Sequence, residues 1–159
     1  MKFEERSASV AFNHLVGEEW SFGAHYQFVR DELQTRWPWL APAVNPGADN
    51  DKTSDLHLLS LYGLFSDPSG FFARAEANWY LQSNLLQTND AGGQQIEVKS
   101  GDEFWQLNFW VGYRFRRNLG DISVGLLNAT GADYRLNPLN PYVELPRERV
   151  IAARLRLRF

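Results

Sequence analysis

The chain has 159 residues, about one domain's worth, with no cysteine, 16 Lys and Arg against 19 Asp and Glu, and a net charge of −3. These values exclude disulfide scaffolds, thiolate metal sites and cysteine nucleophiles, and the lack of a basic block argues against nucleic acid as a partner. The longest nearly apolar stretch, Leu58 to Phe65, is far short of the roughly 20 residues of a membrane-crossing helix, yet 23 aromatics (11 Phe, 6 Tyr and 6 Trp) sit in a chain whose mean hydropathy is −0.40.

Met1 to Arg6 is charged and leads into no apolar run, so it does not read as a secretory signal peptide. A cytoplasmic protein, a mature chain or a piece of a longer chain would all begin this way. Beyond it, apolar residues recur at every second position, the period of a strand with one apolar face. Ser7 to Leu15 sets Ala8, Val10 and Phe12 against Ser7, Ser9 and Asn13. Trp20 to Arg30 sets Trp20, Phe22, Ala24, Tyr26 and Phe28 against Ser21, Gly23, His25 and Gln27. Leu56 to Phe65 is apolar on both faces. Phe72 to Gln82 alternates Ala73, Ala75, Ala77, Trp79 and Leu81 with Arg74, Glu76, Asn78 and Gln82. In Phe104 to Phe115, Trp105, Leu107, Phe109, Val111, Tyr113 and Phe115 share a face. Ile122 to Asn128 follows, and Ile151 to Phe159 alternates Ile151, Ala153, Leu155, Leu157 and Phe159 with Ala152, Arg154, Arg156 and Arg158.

Between these seven predicted strands, short connections at about 16–19, 66–70 and 116–120 carry the Gly, Pro and Asn of tight reversals. Long ones at about 34–54, 83–103 and 129–147 occupy the other end. Strict alternation of short and long connections in an antiparallel meander is the asymmetry of an outer-membrane barrel, with short periplasmic turns and longer extracellular loops. The expected fold is therefore all-β: an up-and-down antiparallel meander of about seven long strands in one domain, 1–159, forming part of a transmembrane β-barrel. The alternative is a complete eight-stranded barrel, its eighth strand drawn from Met1 to Arg6 or from Gln94 to Lys99.

A soluble lipocalin-like barrel would show the same alternation, so other features must separate them. Trp20, Phe65, Phe71, Phe72, Tyr113, Phe115 and Phe159 gather at the turn end, and Tyr26, Phe28, Trp79, Tyr80, Phe104 and Trp105 nearer the loop end. Mostly aliphatic residues lie between, as a bilayer flanked by aromatic girdles would select. Phe104 to Phe115 spans roughly 40 Å extended, or roughly 28 Å along the membrane normal at a tilt near 45°, close to the apolar thickness.

The chain stops on Leu155, Leu157 and Phe159, which resembles the C-terminal assembly signal read by the barrel-assembly machinery of bacterial outer membranes. The run from Val111 to Phe115, a turn, Ile122 to Asn128, then Thr130 and Tyr134, and Pro146-Arg147 before the last strand, resembles the C-terminal end of TonB-dependent receptor barrels. This resemblance covers about the last 60 residues. It implies a bacterial outer-membrane transport protein, non-enzymatic and without a resident cofactor, for a ligand such as a siderophore, metal complex or oligosaccharide. Its implied partners are outer-membrane lipid, the assembly machinery and a missing N-terminal barrel and plug. The departures are the lack of a plug, of an energising box and of most of that family's 22 strands. An odd strand count also differs from the even number of a complete bacterial barrel, so the chain reads as the C-terminal part of a larger one.

By alternation Arg74, Glu76, Arg114, Arg154, Arg156 and Arg158 face the lumen, either pairing across strands or selecting anionic solutes or holding a plug. Trp37 and Trp39, in Trp37-Pro38-Trp39, are the candidates for ligand contact in the first long loop, against a loop minicore or contact with lipopolysaccharide. Asp49, Asp51, Thr53 and Asp55 have the opening rhythm of a calcium loop, but Ser54 and Ser60 stand where Gly and Glu are required, so a solvated loop is the better reading. His14, His25 and His57 lie on different strands and read as wall residues, although His25 with Ser21 or Ser9 could converge as a catalytic pair. A stand-alone structural, adhesive or lipid-modifying barrel and a soluble lipocalin-like carrier are the alternative functions. The side of the sheet that the Trp105, Leu107 and Phe109 face occupies separates the carrier from the membrane readings.

Overall fold

The structure is a computed structural model that describes residues 1–40, 45, 48–90, 94–115, 119–133 and 148–157. Seven strands follow one another in chain order: β1 (Lys2–Val16), β2 (Trp20–Thr35), β3 (Asn50–Ser66), β4 (Phe71–Asn89), β5 (Gln95–Arg114), β6 (Gly120–Leu127) and β7 (Val150–Leu157). They form one sheet in the order β1-β2-β3-β4-β5-β6-β7, every neighbouring pair antiparallel. The all-β meander expected from the alternation is the observed architecture.

The turns are as short as expected where they are described. Gly17 to Glu19 joins β1 to β2, and the Glu19 carbonyl accepts the Ser66 amide at 2.8 Å, tying that turn to the neighbouring one. Between β3 and β4 the Asp67 carboxylate accepts the Ser69 amide at 2.7 Å, and hydrogen bonds from Ser69 hold its carboxyl below the usual carboxylate range. Gly70 has φ +108, which a side chain would strain, and a Cβ there would lie 2.5 Å from the Arg114 carbonyl oxygen. Residues 116–118 of the third expected turn, the 134–147 part of the third expected loop with Tyr134, Pro146 and Arg147, and Arg158 and Phe159 lie outside the described residues.

Strand length departs from the sequence expectation. Most of 83–103 is not loop: β4 continues to Asn89 and β5 begins at Gln95, paired in register from Asn89↔Gln95 down to Phe71↔Tyr113. The first loop shrinks likewise, because β2 reaches Thr35 and β3 starts at Asn50. These extensions carry polar residues on both faces, so apolar alternation ends where backbone pairing does not. Met1 to Arg6 and Gln94 to Lys99 therefore hold no eighth strand. Lys2 to Arg6 belongs to β1, and Gln95 to Lys99 to β5.

The end of β6 is pinned by one side chain. Asn128 is buried at φ +50, its Nδ2 donates to the Ala132 carbonyl at 2.9 Å, and its Oδ1 accepts from Thr130 Oγ1 and the Ala132 amide, each at 3.1 Å. Its own amide donates to Asn108 Oδ1 at 2.9 Å, joining the loop to β5. Asn tolerates the left-handed region better than other non-glycine residues. Asn128→Ala is expected to lower unfolding free energy by about 1–3 kcal/mol through the orphaned buried groups and to speed hydrogen exchange at the Ala132 amide. Unchanged exchange there would remove Asn128 from this role.

Candidate functional site

Register assigns every strand residue to one of two faces. One carries Val10, Phe12, Trp20, Phe22, Tyr26, Leu61, Phe109, Val111, Val124 and Leu155, all of them exposed. The other carries the buried residues Gly23, Ser54, Phe72, Gln82, Asn108, Ser123 and Gly125. In β6 the inversion is complete, since Ile122, Val124 and Leu126 are exposed while Ser123 and Gly125 are buried. The buried residues of the enclosed face are mostly small or polar, although Leu56, Leu58, Leu64, Phe72, Tyr80, Phe104 and Trp110 share that face, while the open face exposes large apolar side chains, the reverse of what a lipocalin-like carrier requires of its exterior. Among the described residues Phe72 is the one buried large apolar side chain.

The open face is organised in rows. Trp20 pairs with Phe65, and Phe71 with Tyr113, at the turn end. Ring centroids are 4.8 Å apart for Trp20–Phe65 and 6.3 Å for both Phe65–Phe71 and Tyr113–Phe115. Trp79 pairs with Trp105, and Phe28 with His57, at the loop end. The polar tips there are satisfied: the Trp79 indole donates to Glu103 Oε1 at 3.1 Å, and the Tyr26 hydroxyl shares a 2.7 Å hydrogen bond with His57 Nδ1. Beyond this row the same face turns charged, and Arg30 grips Asp55 with two 2.6 Å hydrogen bonds. From Trp105 to Tyr113 is about 26 Å along the strand at about 3.3 Å per residue, or about 20 Å after a tilt near 40°, within reach of the roughly 25 Å apolar band of outer-membrane barrels. Phe72, Tyr80 and Phe104 do not join the rows. They lie on the enclosed face, where Tyr80 and Phe104 stack at 4.8 Å.

On the enclosed face one arrangement occurs three times: a glycine faces an aromatic ring across the strands, and the ring carries an arginine. Gly23 faces Tyr62, Gly112 faces Phe72, and Gly125 faces Trp110. A Cβ on these glycines would come within 2.3, 2.5 and 2.5 Å of the respective rings, so the missing side chain is what lets each ring lie over the neighbouring strand. Tyr62 thereby reaches across β2 to donate its hydroxyl to Asn13 Oδ1 at 2.7 Å. Arg74 lies over Tyr62 at 5.8 Å, Arg114 over Phe72 at 5.1 Å, and Arg154 over Trp110 at 6.0 Å. These are cation–π distances.

These layers surround a hollow of about 420 Å³ at the turn end, lined by Arg74, Arg114, Arg154, Arg156, Asp121 and Ser123 among others. Arg74 is paired with Glu76, whose other oxygen accepts the Asn108 amide at 3.4 Å. Arg114 donates to Ser66 Oγ at 2.8 Å. Arg154 and Arg156 stand 3.8 and 3.9 Å from Asp121, close enough for ionic attraction but beyond hydrogen-bond range. Nearer the loop end, Gln82 Nε2 and Ser54 Oγ both donate to Asn84 Oδ1, at 2.9 and 2.8 Å, beside a smaller cavity of about 140 Å³ lined by Ser54, Asn84, Asp31 and Lys52.

Five of the six arginine and glutamate residues expected on the lumen side, Arg74, Glu76, Arg114, Arg154 and Arg156, thus share the enclosed face. Leu155 and Leu157 lie exposed on the open face. Trp37 is half exposed, with its amide donating to Asp49 Oδ1 at 2.7 Å, and Trp39 is 95% exposed. The calcium rhythm is not in a loop: Asp51, Thr53 and Asp55 lie along β3, spaced by extended backbone, and Arg36 and Arg30 pair with Asp51 and Asp55. His25 and Ser21, four residues apart on β2, are about 13 Å apart along an extended strand and do not converge. What the sequence reading missed is Asp121, Ser123, Trp110 and the glycine platforms. The signal was present as glycines and aromatics on alternating positions, but its meaning depends on register. Comparison with protein-family models, with curated proteins and with solved structures finds no match to this chain.

Proposed function

We propose that this chain is a wall segment of a transmembrane β-barrel of a bacterial outer membrane. In this reading it is the C-terminal part of a TonB-dependent receptor-like transport protein, non-enzymatic, for a ligand such as a siderophore, metal complex or oligosaccharide. The observation that carries the reading is the inverted burial: a continuous apolar face, bounded by two aromatic rows, is exposed while polar groups are enclosed. Soluble monomers rarely expose apolar patches larger than a few hundred Å², and lipid is the solvent that matches a band of this height and these borders. Outer-membrane lipid and the barrel-assembly machinery are the implied partners.

Strand direction supports the partial-barrel form of the reading. In a seven-stranded antiparallel meander the edge strands β1 and β7 point the same way, so an antiparallel closure takes an odd number of further strands. Two copies inserted in the same orientation would bring β1 of one against β7 of the other in parallel, which does not supply it. The 15-residue edge of β1 is exposed along nearly its whole length, and an edge of that kind is completed in barrels by a neighbouring strand. A preceding barrel segment with its plug fits that requirement.

Lipid vesicles containing brominated acyl chains give the direct test, using variants that each keep one tryptophan. Trp20 and Trp105, in opposite rows of the open face, are expected to be quenched, and Trp110, on the enclosed face, to be shielded. Quenching of Trp110 with shielding of Trp105 would overturn the proposal.

A further inference from the structure

We propose that the arginine-lined hollow at the turn end of the enclosed face binds an oxyanion: the phosphate, sulfate or carboxylate group of a small solute. This goes beyond the transport reading and does not rest on it, because the argument uses only the geometry of the wall. Four guanidinium groups line the hollow against Asp121 and against Glu76, which pairs with Arg74 from beside it, in a chain whose net charge is −3. Such local excess of one sign in an enclosed space raises the local concentration of the opposite ion.

Arg74 is engaged by Glu76 and Arg114 by Ser66, which leaves Arg154 and Arg156 as the arginines with binding edges to offer. The guanidinium carbons of Arg74, Arg114 and Arg154 lie 5.8, 5.1 and 6.0 Å from the ring centroids of Tyr62, Phe72 and Trp110. Attraction to a ring does not require the N–H fork that grips a carboxylate or phosphate by two oxygens. Asp121 does not consume that fork, since it stands 3.8 and 3.9 Å from Arg154 and Arg156.

An independent observation comes from Ser123. It is only 2% exposed, lines the hollow, and its Oγ has no hydrogen-bond partner. A buried hydroxyl without a partner is costly, and an oxyanion seated among the arginines supplies the acceptor it lacks. Ser123 lies opposite Arg154 in the β6–β7 register and opposite Gly112 in the β5–β6 register, between two of the three aromatic platforms.

The test is isothermal titration of the whole chain in detergent micelles with inorganic phosphate, sulfate and citrate, against chloride at equal ionic strength. At least one oxyanion is expected to bind saturably where chloride does not. Arg154→Gln should weaken it at least about tenfold, as loss of a charge-assisted pair does. Arg154→Lys, which keeps charge but not the planar fork, should fall between, and Ser123→Ala should weaken binding a few fold. Arg6→Gln, on β1 and away from the hollow, should leave affinity unchanged, and circular dichroism confirms that each variant retains its sheet. Equal binding of chloride, or equal loss in Arg6→Gln, would overturn the proposal in favour of general charge attraction. Binding of an acidic peptide with no binding of any small oxyanion would overturn it in favour of a protein segment. Failure of the tryptophan quenching test leaves these outcomes readable, since they require only the folded wall.

Discussion

Phe109→Arg is expected to destabilise the protein in lipid vesicles by about 2–4 kcal/mol, the cost of a cation at the midplane of a lipid-facing barrel wall. Phe109 lies midway between Trp105 and Tyr113, is 44% exposed, and has Ala75 and Leu126 as its cross-strand neighbours. Nothing polar in that row could pair with the new charge. Ser83→Arg places the same side chain on the same face, beyond the Trp79 row and opposite Asp55 and Gly101. That variant is expected to stay within about 0.5 kcal/mol of the parent, as surface changes do. Urea unfolding of both variants in vesicles, followed by tryptophan emission, reads the difference. If Phe109→Arg were as mild as Ser83→Arg, the apolar face would be facing water and the membrane reading would be lost.

Gly125→Val should cost about 1–3 kcal/mol, the usual penalty of forcing atoms into occupied space. A Cβ at this position would stand 2.5 Å from the Trp110 ring, and a branched residue has no rotamer that avoids it. The displaced ring would also release Arg154 from its stack, so the variant should lose oxyanion binding with its stability. The decisive measurement is a double-mutant cycle. In Trp110→Ala the ring is gone and the valine has room, so the second change should cost markedly less there than in the parent. Additivity within about 0.5 kcal/mol would mean that glycine and ring are not one unit.

Within each strand the aromatic positions were legible because a strand's period is two: Trp20 and Tyr26 had to share a face of β2, and Trp105 and Tyr113 a face of β5, while register sets those faces on one side of the sheet. The polar ends of β4 and β5 were not legible. Leu85-Leu86 is apolar on both faces, and the short alternation of Ile96 and Val98 with Gln95, Glu97 and Lys99 read as a candidate separate strand; only the backbone ladder joins it to β5. Pairing likewise merged Lys2 to Arg6 into β1 rather than a separate strand, and turned the acidic run at 50–55 from an expected loop into strand. Phe72, Tyr80 and Phe104 were grouped with the girdles on their height along the strand, and parity of position sets them on the enclosed face instead.

By itself the sequence determined the number of strands, their alternation of faces and the position of the short turns. Each follows from local spacing and from residues whose backbone preferences act within a few positions. Only the tertiary structure decided which face is enclosed, how far the strands run beyond the band, and which side chains meet across them. Register is a relation between distant segments, and it alone sets Gly125 against Trp110, Ser123 against Arg154, and four arginines from β4, β5 and β7 around one hollow.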